Sequence, residues 1–246
     1  MRNKFYTTLL VAILLFTFAC KKNNSPSPGD DTPVVKKKYL VKAAVGANAT
    51  DYTYDSKKRL SKIVTGNATT TYSYDDQHLL SVELYTTGTK SSRVTSEVKY
   101  AGDEINTIGQ KIYTNDTLKR ENTITYLYDN GRVKEIRSGT DVTTYTYDSK
   151  NNMIGNVYKG PVTISNTTVY DDKKSKFTNS LTKYLIYPSV DTGLDRFSTN
   201  NITQNSQEFN GKTTVTNYTY TYDDEGYPLT VNDGRTTTTY TYSTLD

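Results

Sequence analysis

The chain has 246 residues, a single cysteine, a single histidine, no tryptophan and 23 tyrosines. Its formal charge of +4 comes from Arg2, Lys4 and the lysines at 21, 22, 36, 37 and 38, so the remainder from Tyr39 onward is close to neutral. That balance excludes the basic field on which nucleic-acid binding depends, and the lone cysteine leaves no disulfide and no thiolate metal cluster to hold a fold together.

In chain order, Arg2 and Lys4 precede an apolar run from Leu9 to Ala19 that ends at Cys20. This is the pattern of a secretory signal over residues 1–19, and it is too short for a bilayer span of about 20 residues. Thr17-Phe18-Ala19-Cys20 resembles the lipobox at which bacterial lipoproteins are cleaved and acylated, which implies lipidation of Cys20. The alternative is an ordinary secreted chain whose Cys20 is removed or left free. Residues 20–38, rich in Lys, Asn, Ser and Pro, have too few apolar side chains to pack and read as a tether.

Residues 39–246 form one domain built on a repeat: YTYDSKKRL from Tyr52, YSYDDQHLL from Tyr72, YLYDNGRV from Tyr126, YTYDSKNNM from Tyr145 and YTYDDEGYPL from Tyr220, with looser copies at Val98 and Thr168. Spacings of this size match strand, turn and strand. Residues two apart on a strand share a face, so Tyr52 and Tyr54, Tyr72 and Tyr74, Tyr126 and Tyr128, and Tyr145 and Tyr147 all point one way. Threonine and serine at the alternate positions give the other face to water. Each aspartate is placed to accept amide hydrogen bonds in the turn, and Asp129-Asn130-Gly131 supplies residues that tolerate positive φ.

After each turn two apolar residues stand three apart, as in Leu60 and Ile63, which requires a bulge to bring both inside. Elsewhere alternation places Leu80, Val82 and Leu84 on one face, and Val94, Ser96, Val98 and Tyr100 on one face. The fold expected is all-β, a single antiparallel meander sheet curled into a barrel-like domain. Residues 171–212 interrupt the repeat. Phe177, Leu181, Tyr184 and Leu185 fall at helical spacing and predict a short amphipathic helix stopped by Pro188. Irregular chain follows until strands resume near Thr213.

The YD turns resemble the YD repeats of Rhs-type proteins. Together with the lipobox, the tether, the FSTNNIT segment and the closing YTYDDEGYPLTV, they resemble a family of uncharacterised Bacteroidetes lipoproteins described as having a porin-like fold. The resemblance implies a barrel-like envelope lipoprotein and supplies no catalytic residues.

His78 lies in a turn with no partner set for a triad, and no P-loop, GxSxG, HExxH or GxGxxG motif is present. The acidic clusters Asp75-Asp76, Asp171-Asp172 and Asp223-Asp224-Glu225 sit in the repeated turns and read as turn formers, not as glycosidase pairs or calcium loops. No catalytic residue, metal or cofactor is assigned.

The leading reading is a non-enzymatic, lipid-anchored protein of the outer membrane, its partners being the membrane itself and a polysaccharide or an envelope protein. One alternative is a glycan-binding lipoprotein using the eight paired tyrosines as a platform; another is an enzyme of unknown class. A membrane-crossing porin is set aside, because the strands are short and their alternate face carries Thr, Lys and Glu.

Overall fold

A computed structural model describes residues 37–179 and 198–245. Its strands are β1 Lys38–Val45, β2 Asn48–Tyr54, β3 Leu60–Thr65, β4 Ala68–Tyr74, β5 Leu79–Thr86, β6 Ser92–Ala101, β7 Glu104–Thr114, β8 Thr117–Asp129 and β9 Arg132–Ser138. They continue as β10 Asp141–Tyr147, β11 Met153–Lys159, β12 Thr163–Tyr170, β13 Ile202–Phe209, β14 Lys212–Asn217, β15 Thr219–Tyr222, β16 Pro228–Asn232 and β17 Thr237–Thr244. Every pairing is antiparallel.

Each strand from β1 to β14 pairs with the next, β15 to β17 do the same, and β17 closes onto β1 with Ala43 opposite Tyr240. The result is one nearly closed barrel-shaped sheet. The seam falls at Tyr218, which alone separates β14 from β15. β14 pairs back to β13 and β15 pairs forward to β16, so the wall steps there. Because the meander alternates its turns between two ends, all the YD turns gather at one end of the barrel.

The faces divide by chemistry. Inward positions carry Leu60, Ile63, Tyr72, Leu79, Val82, Val98, Ile105, Ile108, Tyr126 and Val133, all buried in one core against which Tyr52, Tyr54, Tyr74, Tyr128 and Tyr145 pack. Outward positions carry Thr71, Ser73, Glu83, Glu97, Lys99, Lys111, Thr144, Thr146, Thr239 and Thr241, all exposed. An apolar inside and a wet outside make burial of the inner face the main stabilising force, roughly 1.5–3 kcal/mol for each large side chain.

The expected bulge is present. Tyr54 opposes Leu60 while Thr53 opposes Lys62, so Ser61 is the extra residue, and Leu60 and Ile63 both turn inward. The same shift recurs beside Tyr74, Tyr100, Tyr128, Tyr147 and Tyr222. It corrects one facing assignment: Leu79 and Val82 point inward, whereas Leu80 is the bulged residue and 45% exposed. Val94, Ser96 and Val98 are buried as their alternation requires.

Two further differences concern the interruption at 171–212. Strand β13 lies inside it, so strands resume at Ile202 and not near Thr213. ITQNSQEF lacks the tyrosine signature, and its polar residues concealed a strand held on both sides by neighbours. Phe177 sits in a turn. Leu181, Tyr184 and Leu185 lie outside the described residues, and among those described there is no helix.

Candidate functional site: the tyrosine-lined end of the barrel

In most repeats one tyrosine, usually the second of the pair, performs a recurring task. Its hydroxyl donates to the carbonyl of the residue that opens the strand after the previous YD turn, or its equivalent. Tyr54 bonds Leu40 at 2.7 Å, Tyr74 bonds Leu60 at 2.8 Å, Tyr147 bonds Val133 at 2.9 Å and Tyr242 bonds Pro228 at 2.9 Å. Tyr100 reaches Leu79, Tyr170 reaches Met153 and Tyr220 reaches Ile202 in the same way. The carbonyl at the bulge would otherwise lack a ladder partner, and a buried unpaired acceptor is destabilising. Each of these tyrosines therefore locks the hairpin before it.

The first tyrosine of each pair is a core residue. Tyr72 and Tyr126 are buried, while Tyr52 and Tyr145 pack half-buried against the same cluster. Burial pushes the phenols of Tyr74 and Tyr145 up to about 12 and raises that of Tyr147 as well. Arg59 stacks on the Tyr74 ring at 4.3 Å and Arg132 lies 5.7 Å from that of Tyr147. Tyr128 packs half-buried on the core. The paired tyrosines thus stand on the inner wall, and the hydroxyls of Tyr54, Tyr74 and Tyr147 meet backbone carbonyls.

The aspartates close the turns. Asp55 accepts from the amides of Lys57 and Arg59, Asp148 from those of Lys150 and Asn152, and Asp223 from those of Glu225 and Tyr227. Burial opposes ionisation at all three, but these amides outweigh it, aided by Arg59 at Asp55 and Lys38 at Asp223, and hold each carboxyl below its usual range. Asn130 and Gly131 both take positive φ, as their turn requires.

A feature the repeat does not announce caps this end. After Tyr170 the chain leaves the wall and Phe177 meets the Tyr52 ring at 6.1 Å. Asn179 donates to the Lys38 carbonyl and to the Tyr227 hydroxyl. At its return, Ser198 donates to the Tyr170 hydroxyl and accepts from the Met153 amide. The Asn152 side chain, 1% exposed, then accepts the amides of Thr199 and Asn200 at 3.0 Å each. It also donates to Asp148 and to the Asn200 side chain. Asn201 is clasped by Asp171, which also takes the Tyr222 hydroxyl. Nothing periodic marks these asparagines; the only trace is two Asn-Asn doublets, Asn151-Asn152 and Asn200-Asn201.

The remaining candidates lie apart. His78 packs beside Tyr100 with ring centres 4.5 Å apart, between Asp75 and Asp103 on the rim. Asp76 pairs with Lys57, while Asp223 and Glu225 hold Lys38. The turn carboxylates are thus engaged one by one in separate hairpins. Among the described residues no three His, Cys, Asp or Glu side chains are grouped to hold a metal ion. Cys20 lies outside the described residues.

No known protein family matches the chain, and no curated protein does. Among solved structures, the fold is similar to that of a porin-like protein from Bacteroides uniformis, with a TM-score of 0.51 at 15% identity. The match spans 85% of this chain and 98% of that one, so the shared feature is the whole barrel.

Proposed function

We propose that the protein is a non-enzymatic barrel of the bacterial envelope, anchored to the outer membrane by a lipid on Cys20 and standing in water beside the bilayer without crossing it. The observation that carries this reading is the polarity of the wall: Thr, Ser, Lys and Glu run along the outer face, with single apolar residues such as Leu80, Val169 and Val215 among them, while Leu, Ile, Val and Tyr fill the core. A membrane-crossing barrel needs the reverse, an outward apolar band about 25 Å tall on strands of about 9–11 residues. Most strands here have six to eight residues. Likeness to a porin-like protein is a likeness of backbone, and the side chains adapt that backbone to water.

The functional end is occupied by structural work. Its tyrosines are committed to core and carbonyls and its acids to turns, which favours an interaction or scaffolding role over catalysis. The test is Cys20→Ala in a cell that processes lipoproteins. The variant should lose incorporation of labelled fatty acid, leave the membrane fraction and remain in solution without detergent. A variant that still fractionates with membranes and needs detergent for extraction would overturn the reading.

A further inference from the structure

Two strands run past their neighbours at the end opposite the YD turns. Residues 117–123 of β8 pair with β7 on one side, and β9 ends at Ser138, opposite Ile124. β14 pairs with β13 along Lys212–Asn217, and no strand among the described residues pairs with its other side. Both stretches are almost wholly exposed. A free edge offers unpaired amides and carbonyls to any extended chain, and proteins ordinarily guard it with charge, proline or a bulge.

The two edges are guarded differently. β8 carries Lys119, Arg120 and Glu121 in succession along its free stretch. β14 has one charge, Lys212 at its tip, followed by Thr213, Thr214, Val215, Thr216 and Asn217. These are strand-favouring or neutral residues in a straight, unbulged register with β13. At its middle Val215 faces outward and is 51% exposed.

We propose that the free edge of β14 is a self-association surface, joining two copies of this chain through antiparallel β14 strands about a two-fold axis at Val215. The edge is self-complementary. A register centred on a residue keeps both outer faces on the same side, whereas one centred between residues would oppose outward to inward positions. Centred on Val215, it sets that residue against the second copy's Val215 and sets Thr213 against the second copy's Asn217. Ser206 flanks Val215 on β13, so the central row across the joint is apolar in the middle and neutral beside it. No like charges meet. The same operation on the free stretch of β8, centred on Arg120, would oppose arginine to arginine.

The test is oxidative cross-linking of the full chain in its own membranes, with single cysteines added to a parent that retains Cys20. Val215→Cys should give a band of twice the chain mass at several-fold higher yield than Val169→Cys, which is equally exposed at 51% but lies on a strand paired on both sides. Thr213→Cys co-expressed with Asn217→Cys should cross-link, while each alone should not. Equal yield at 215 and 169, absence of the dimer band, or a cross-link of some other mass would overturn the proposal. The last result would assign the edge to a strand from a different protein.

Discussion

Replacing Asn152 by alanine tests whether the returning segment 198–201 is part of the barrel's structure. The side chain makes four hydrogen bonds: two given, to Asp148 at 3.0 Å and Asn200 at 3.1 Å, and two accepted, from the amides of Thr199 and Asn200. Thr199 is exposed, so water replaces that bond at little loss. Asn200 is buried, and its amide and side-chain oxygen lose their Asn152 partners where water does not reach freely. A buried polar atom left unsatisfied costs about 1–3 kcal/mol. Two such atoms plus the weakened Asp148 turn bring the loss to about 3–5 kcal/mol, or on the order of 10 °C in melting temperature for a domain of this size. Urea unfolding of Asn152→Ala, Asn200→Ala and the double variant gives the answer. The singles should overlap, with a coupling of about 1–2 kcal/mol. A loss below about 1 kcal/mol for Asn152→Ala, or strict additivity, would refute the clasp and make the segment a surface loop.

Three other outcomes follow from the same geometry. Tyr147→Phe removes the donor to the Val133 carbonyl and should lower stability by about 1–2 kcal/mol in chemical denaturation, while Tyr85→Phe, exposed on the outer face, should change little. Raised phenol values at Tyr74, Tyr145 and Tyr147 favour the neutral form in the folded state, so their contribution is complete below about pH 10 and is lost as pH rises further. Absorbance titration should show these groups ionising only with unfolding. Depressed carboxyls at Asp55, Asp148 and Asp223 act in the opposite sense: stability is complete above about pH 4 and declines as pH falls below it. Thermal melts from pH 6 to pH 2 should fall chiefly at the acid end, and Asp148→Asn should flatten the decline.

The repeat made most of the barrel legible because its signals are local. Tyr-x-Tyr alternation states which way a strand faces, Asp-Asn-Gly states where it turns, and an apolar pair three apart states that a bulge intervenes. What failed was what depends on distant chain. Leu80 appeared to continue an alternation that it interrupts as the bulged residue. β13 could not be read from ITQNSQEF because its evidence is pairing with β12 and β14, not its own pattern. The role of the Tyr147 hydroxyl needs knowledge of where Val133 ends up. The Asn152–Asn200 contact joins positions 48 apart, and nothing in either stretch points to the other.

The closure of β17 onto β1 has a consequence for assembly in time. Every other wall contact joins strands consecutive in the chain, and all but β12–β13, separated by residues 171–201, can form as soon as the next hairpin appears, in the manner of a stack that grows from one end. The last joint is different in kind: Lys38 is opposed by Thr244, and Leu40, wholly buried, by Tyr242. Until β17 arrives, the first strand presents an open edge and an uncovered apolar face. Contacts of such long range form slowly, so the interval between synthesis of β1 and arrival of β17 is when the chain is most exposed to mispairing.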